Sequence, residues 1–208
     1  MTGYAIGLLG GGSQADETAE FDPRARVVFR AVSADRVHET PGSIDIGTDD
    51  AELLATAVLV AVGAPGLKRR LVEAWGGRSY ATVVSPAASV SPTAVIGEGT
   101  TVAPGAAVTA NARLGRHVML NVGASVSHAS VVGDYTTISP GARIAGDCVI
   151  GDGVFVGIGA IVSHGVSITT GTVLGAGAVV VDDIDVAGVY VGVPARRVRA
   201  LDEWLERL

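Results

Sequence analysis

The sequence predicts a small parallel α/β unit followed by a β-helix, and three observations lead to that fold class. From Val84 onward, an aliphatic residue returns at every sixth position as far as Val180. Before this repeat, short apolar strands alternate with helical segments. Glycine is abundant, with 29 among 208 residues, and only 4% of the chain is aromatic. Thin, closely stacked layers fit that composition better than a bulky core does.

Residues 1–80 have the pattern of a parallel α/β domain. A short polar helix is predicted over 13–21, and a second helix begins at Pro65, because proline suits the first helical turn. Gly76 and Gly77 are expected to end that second helix. Strands that alternate with helices form a parallel sheet. The predicted strands cover 4–9, 26–32 and 57–62.

Residues 81–208 are expected to form a second domain. A strict period of six fits neither an α-helix nor a simple strand, but it fits a triangular β-helix in which each hexapeptide is one flat face. The aliphatic first residue points inward, and the small fifth residue fits the narrow interior. Residues eighteen apart then stack on the same face, about 4.8 Å apart. The ending RALDEWLERL predicts a short amphipathic helix that caps the β-helix.

Charge and composition exclude several functions. The net charge is −6, so a basic nucleic-acid surface is not expected. The single cysteine, Cys148, cannot form an intrachain disulfide, and its place at a fifth position predicts burial. The N-terminus lacks the basic start of a signal peptide, and the longest apolar stretch, 53–64, is too short to span a bilayer. We therefore expect a cytoplasmic protein with no membrane partner.

Three segments resemble one enzyme family over nearly the whole chain. They are VAVGAPGLKRRL, LNVGASVSHASVVGDYTTISPGARIAGDCVIGDGVFVG and GVYVGVPARRV. With the hexapeptide repeat, they resemble the sialic acid O-acetyltransferase and bacillosamine-pathway sugar N-acetyltransferase family. The resemblance implies a Rossmann-like N-terminal domain that binds the acceptor, a left-handed β-helix and a homotrimer. It also implies acetyl transfer from acetyl-CoA to an amino or hydroxyl group of a sugar, often one linked to a nucleotide.

The resemblance assigns the catalytic base to His128, in the segment Val126-Ser127-His128. An imidazole suits this role because it titrates near neutral pH and can accept the proton of an attacking amine or hydroxyl. The alternative interpretation is an ordinary surface histidine. Gly146 lies eighteen residues later, so it is expected to stack directly on His128 and leave room for a thioester.

The resemblance also assigns binding roles to other positions. Asn121 corresponds to a substrate contact, although an asparagine inside a β-helix turn has the same appearance. The glycine-rich turn after the first strand corresponds to the nucleotide-sugar loop, here with Gly12, Ser13 and Gln14. The expected coenzyme contacts are Gly146, Ile158, Thr137 and Ala176, the last two replacing a histidine and a glycine of some relatives.

Several positions depart from the family pattern. The acidic residue that follows the catalytic histidine in relatives is Ala129 here, so Asp147, Asp134 or a neighbouring subunit would have to orient the imidazole. In the N-terminal domain, the loop histidine, the acidic pair after the second strand and the asparagine after the third are replaced. Two alternatives therefore stay open: an acyltransferase for an acceptor that is not a nucleotide sugar, and a non-catalytic trimeric binding protein.

No metal is expected. His164 lies thirty-six residues after His128, two turns along one face and about 10 Å away, too far for both to bind one ion. His117 belongs to a different face. The basic run Lys68 to Arg70 is interpreted as a solvated helix surface. Arginines 196, 197 and 199 meet either coenzyme phosphates or solvent.

Overall fold

The computed structural model of the chain describes residues 3–75 and 79–207, and its N-terminal unit is a four-stranded parallel sheet. The strand order is β3-β2-β1-β4. The three predicted strands and two predicted helices are confirmed, while β3, α2 and a 3-10 helix over Ala34–Glu39 were not predicted. The elements are β1 Tyr4–Leu9, α1 Ser13–Ala19, β2 Ala25–Val32, β3 Ser43–Asp45, α2 Ala51–Ala55, β4 Val58–Val60 and α3 Pro65–Ala74.

Apolar residues of β1 and β4 form the centre of this unit. Leu8, Leu9 and Leu59 are fully buried between the sheet and its helices. Helix α3 has Pro65 in its first turn, as predicted, and its last residue is Ala74. The glycines expected to end it, at 76 and 77, lie outside the described residues.

The repeat folds into a parallel β-helix of seventeen two-residue strands. One such strand begins every six residues, from position 83 to position 179, without interruption. They are β5 Val83–Val84, β6 Ser89–Val90, β7 Val95–Ile96, β8 Thr101–Val102, β9 Ala107–Val108, β10 Arg113–Leu114, β11 Met119–Leu120, β12 Ser125–Val126, β13 Val131–Val132, β14 Thr137–Ile138, β15 Arg143–Ile144, β16 Val149–Ile150, β17 Phe155–Val156, β18 Ile161–Val162, β19 Ser167–Ile168, β20 Val173–Leu174 and β21 Val179–Val180.

Strands eighteen residues apart pair in parallel, as the period predicts. Val126 pairs with Ile144, which is followed in turn by Val162, and all three are at most 1% exposed. The fifth position of each hexapeptide is also interior, and Cys148 there is fully buried. The narrow core is therefore a ladder of aliphatic and small residues.

From residue 99 onward, each hexapeptide turns its corner with one residue of positive φ. Such residues recur at every sixth position from 99 to 177, fourteen in all. Nine are glycines, which adopt this conformation without strain. At a residue with a side chain, the left-handed conformation costs about 1–2 kcal/mol. The five such residues are Asn111, His117, Ala129, Tyr135 and Asp147.

The β-helix has three faces, which we number by their first strands. Face 1 contains β5, β8, β11, β14, β17 and β20; face 2 begins with β6 and face 3 with β7. Corner 1/2 joins faces 1 and 2 and includes Asn121. Corner 2/3 includes His128, and corner 3/1 includes Tyr135. Because the section is triangular, corner 2/3 lies opposite face 1.

The N-terminal unit packs on face 1. Lys68 of α3 donates a hydrogen bond from Nζ to Thr137 Oγ1 over 2.9 Å, and Thr137 donates to the Gly63 carbonyl over 2.6 Å. Tyr80 contacts His117 edge to face, with ring centroids 4.5 Å apart. The two parts of the chain are thus joined by buried polar and aromatic contacts.

The predicted C-terminal helix is wrong. The described end of the chain forms strand β22, Gly188–Val191, and strand β23, Arg196–Ala200, which pair antiparallel, and residues 201–207 are not helical. Trp204 packs over Gly153 and Gly171, and the Leu205 carbonyl accepts a hydrogen bond from Gly66 N–H over 2.8 Å. These tertiary contacts outweigh the local helical propensity of the segment. Within 3–75 and 79–207, no helix has the length and apolar character needed to cross a membrane.

Candidate active site

Corner 2/3 presents His128 to solvent. The residue lies between β12 and β13, and its side chain is 58% exposed. Gly146 stacks on it from the next turn, as predicted, so closely that a Cβ added at Gly146 would overlap the imidazole. The ring therefore rests on bare backbone, and a small electrophile can approach beside it.

Asp147 is the carboxylate that approaches His128. Its Oδ2 lies 3.6 Å from His128 Nδ1, and its backbone N–H donates to the His128 carbonyl over 2.9 Å. Asp134, the other candidate within the chain, pairs instead with Arg116 over 3.1 Å at a different corner. Asp147 stacks one turn beyond Ala129, so it approaches the imidazole from the neighbouring turn of the β-helix.

His164 is closer to this group than the sequence predicts. Its Nδ1 lies 3.7 Å from Asp147 Oδ2, and the His128 and His164 ring centroids are 6.2 Å apart. The prediction of about 10 Å, which rests on the spacing of turns, is wrong for the side chains, because the two rings lean toward each other across Gly146. The structure therefore brings together His128, Gly146, Asp147 and His164.

The other predicted coenzyme positions lie elsewhere. Ile158 and Ala176 stack on each other at corner 1/2, where both are exposed, and Gly177 N–H donates to the Ile158 carbonyl over 2.8 Å. Asn121 is at the same corner but is only 4% exposed, and its side chain accepts from Val122 N–H over 2.7 Å. Face 2 separates this corner from His128.

Thr137 does not meet solvent. It is buried on face 1 beneath the N-terminal unit, and its hydroxyl is fully occupied by Lys68 and Gly63. The structure therefore does not support the prediction that Thr137 contacts the coenzyme. The threonine joins the two parts of the chain instead.

The environment of Lys68 also differs from the prediction. It was predicted on a solvated helix surface, but it is 1% exposed, because α3 presses this side against face 1. Burial lowers the pKa of its ammonium from 10.5 to about 7. Leu71 lies three residues later, on the same side of α3, and is also buried. This helical spacing is the one feature of the sequence that could have indicated the burial of Lys68.

A cavity lies in the N-terminal unit, at the ends of the parallel strands. Its volume is about 1010 Å³, and Gly12, Ser13 and Gln14 line it together with the loop after β4. These three residues were predicted from the glycine-rich turn, whereas the cavity's cations were not. These are Arg36, Arg70 and Arg207.

Corner 3/1 holds the other β-helix histidine in a different environment. His117 is 3% exposed and stacks on Tyr135, with ring centroids 5.1 Å apart. Burial, with smaller contributions from Lys68 and Arg116, lowers the pKa of His117 to about 4. Trp204 follows Tyr135 at 6.1 Å, and the Arg69 guanidinium lies 4.4 Å above the Trp204 ring. This histidine is neutral and structural.

A hexapeptide β-helix with an exposed histidine stacked on glycine defines an acyltransferase of the hexapeptide class. The chain matches no protein-family model and no curated protein sequence. It is similar to a histidine mutant of perosamine N-acetyltransferase from Caulobacter crescentus, crystallised with CoA and GDP-perosamine. That match has 31% identity over 92% of this chain and 95% of the other, with a TM-score of 0.83.

The acetyltransferase domain of PglB from Neisseria gonorrhoeae FA1090, in complex with acetyl coenzyme A, is 28% identical over 94% of this chain and all of the other, with a TM-score of 0.81. WeeI from Acinetobacter baumannii AYE is 24% identical over 93% of this chain and 99% of its own, with a TM-score of 0.76, which shows a shared fold. The chain belongs to the family of hexapeptide-repeat sugar N-acetyltransferases.

Proposed function

We propose that this protein transfers an acetyl group from acetyl-CoA to the amino group of a nucleotide-linked sugar, with His128 as the general base. The observation that carries the proposal is the exposed His128 imidazole stacked on Gly146, in a chain 31% identical to an N-acetyltransferase crystallised with CoA and GDP-perosamine. The amine nitrogen attacks the thioester carbonyl, the CoA thiolate leaves, and the imidazole accepts the amine proton.

Asp147 acts in this proposal as the positioning residue. Its carboxylate faces His128 Nδ1, which leaves Nε2 available for the substrate proton. A carboxylate beside the imidazole also stabilises the imidazolium that forms during attack. Gly146 contributes its backbone. Its N–H has no acceptor among the described residues, so it is available to an acetyl oxygen beside His128.

The proposed acceptor site is the cavity of the N-terminal unit. Three arginines and two carboxylates line this space of about 1010 Å³: Arg36, Arg70, Arg207, Asp35 and Glu206. Arg70 pairs with Glu206 and Arg36 with Glu39, so the lining has a small positive excess, which nucleotide phosphates match. We therefore propose that residues 1–80 are a Rossmann-like acceptor domain. The similarity to the perosamine N-acetyltransferase supports the proposal that residues 81–208 are a left-handed β-helix acyltransferase domain.

In a homotrimer, the cavity of one subunit would lie next to the partner subunit's His128. The N-terminal unit packs on face 1, whereas His128 is at the opposite corner of the same chain, so one chain does not unite the two. Three side chains along face 3 are exposed and apolar, and a neighbouring subunit would cover them. They are Val95, Val131 and Val149. We propose that acceptor and coenzyme meet between subunits, with Ile158 and Ala176 contacting the coenzyme.

The test is thiol release from acetyl-CoA with a panel of UDP-, dTDP- and GDP-linked amino sugars and matched sugars with hydroxyl in place of the amine. We expect release with one nucleotide-linked amino sugar, and a product 42 Da heavier, the mass of an added acetyl group. Release with an amine that has no nucleotide would favour the alternative acceptor class. Absence of release with every acceptor would contradict the proposal.

A further inference from the structure

Corner 2/3 brings three potential metal ligands together. Asp147 Oδ2 lies 3.6 Å from His128 Nδ1 and 3.7 Å from His164 Nδ1. One ligand atom from each of the three residues can be chosen so that all lie within 4.8 Å of one another. All three side chains are exposed, so an ion can reach them from solvent.

These separations suit a first-row divalent cation. Zn²⁺ binds imidazole nitrogen and carboxylate oxygen at about 2.0–2.2 Å, so the ligand atoms of a tetrahedral site lie about 3.3–3.6 Å apart. The two nitrogen-to-oxygen distances are within a few tenths of an ångström of that range. Small side-chain rotations would complete a two-histidine, one-aspartate set, with a fourth position open to water.

The β-helix backbone fixes the positions from which these three side chains extend. Asp147 N–H donates to the His128 carbonyl over 2.9 Å, and Gly165 N–H donates to the Gly146 carbonyl over 3.0 Å. These bonds hold three successive turns in register. Gly146 has no side chain, so nothing separates the two imidazoles. Because the backbone is already rigid, only the three side-chain rotamers remain to be ordered on binding.

We propose that His128, Asp147 and His164 form a binding site for a divalent cation of the Zn²⁺ type. The ion would bind His128 Nδ1 and leave the ring proton on Nε2. Nε2 could then not accept the substrate proton, so bound metal would inhibit the enzyme reversibly. Metal binding is independent of the proposed acetyl transfer, whereas the inhibition rests on it.

Calorimetric titration of chelator-treated protein with ZnCl₂ tests the site directly. We expect one saturable site per chain in the wild type. His164→Gln and Asp147→Asn should each weaken it at least about tenfold, because each removes a ligand. His38→Gln is the matched control, since His38 is an exposed histidine of the N-terminal unit, and it should bind as the wild type does. Circular dichroism confirms that each variant is folded.

Two results would overturn the proposal: no saturable binding, or binding that His164→Gln leaves unchanged. The transfer assay then separates the two hypotheses. We expect Zn²⁺ to inhibit the wild type, with chelator restoring the rate, and His164→Gln to require at least about tenfold more Zn²⁺ for the same inhibition. Saturable Zn²⁺ binding by a protein that transfers no acetyl group would support the metal site and contradict the proposed function.

Discussion

His128 and His117 occupy adjacent corners of one β-helix, and their surroundings give them opposite properties. His117 is covered by Tyr80 and Tyr135, and burial lowers its pKa to about 4. His128 is open to solvent, with a carboxylate at 3.6 Å and a glycine beneath its ring. The same repeat supplies both corners, so the difference arises from what covers each one.

The comparison shows how a regular scaffold acquires one reactive position. The N-terminal unit and the C-terminal tail cover corner 3/1, where Trp204 continues the aromatic row. Corner 2/3 remains bare and carries the imidazole that can accept a proton. A buried neutral histidine cannot exchange protons with a substrate, whereas an exposed one with a nearby carboxylate can.

Among the substitutions that test this difference between the two histidines, Gly146→Ala should have the largest effect. The added methyl occupies the space of the His128 ring, so we expect the imidazole to move and kcat to fall by about 10²–10⁴-fold, the range of general-base contributions. Stability should change little, because the flexible histidine can rotate away. Gly105→Ala is the control. It introduces a methyl with only ordinary contacts at a corner with φ 68° and should retain activity at a cost of about 1–2 kcal/mol in stability.

His117→Ala should have the opposite profile. Truncation removes a buried ring from the stack with Tyr80 and Tyr135, and we expect the free energy of unfolding to fall by about 2–4 kcal/mol. Turnover per folded molecule should be unchanged. Urea denaturation and the thiol-release assay measure the two quantities, and a variant that is stable but inactive would contradict the assignment of His117 as structural.

Asp147→Asn sharpens the role of the exposed corner. The amide has the shape of the carboxylate without its charge, so the imidazolium loses its electrostatic support. We expect kcat to fall about tenfold while the KM for acetyl-CoA stays the same. Asp183→Asn, an exposed change elsewhere on the β-helix, should have no effect on either constant. An equal loss in both variants, or a rise in KM alone, would exclude positioning by Asp147.

Lys68 gives an effect that appears only when the pH is changed. Its pKa is about 7 in the folded protein and about 10.4 in an unfolded chain. Between these values the unfolded chain binds more protons, so stability rises with pH. Relative to Lys68→Met, wild-type stability should therefore increase from pH 7.5 to 9.5, by at most about 1.4 kcal/mol per pH unit. Parallel stability curves for the two proteins would contradict this.

Periodicity made the β-helix and part of the site predictable. A repeat of six places Gly146 on His128 without any knowledge of side-chain directions, and the structure confirms that contact. The same count also places Asp147 beside Ala129, and Asp147 was one of three candidates to orient the imidazole. Backbone register is fixed by hydrogen bonds between turns, so sequence spacing translates directly into position.

Tertiary contacts between distant segments were not predictable in this way. The leaning of His164 toward His128 depends on side-chain rotation rather than on the spacing of turns. The burial of Lys68 and the extended C-terminal tail depend on how α3 meets face 1 and how Trp204 covers Gly153. These two contacts join segments about fifty to seventy residues apart, and local pattern does not encode them.

The most direct test of the account is acetyl transfer by His128→Asn and His117→Asn measured side by side, with activity expressed per folded molecule. We expect the first variant to lose at least about 100-fold in kcat while it still binds acetyl-CoA, and the second to stay within about threefold of the wild type. Equal activity of His128→Asn and the wild type, or a loss confined to His117→Asn, would contradict the assignment of catalysis to corner 2/3.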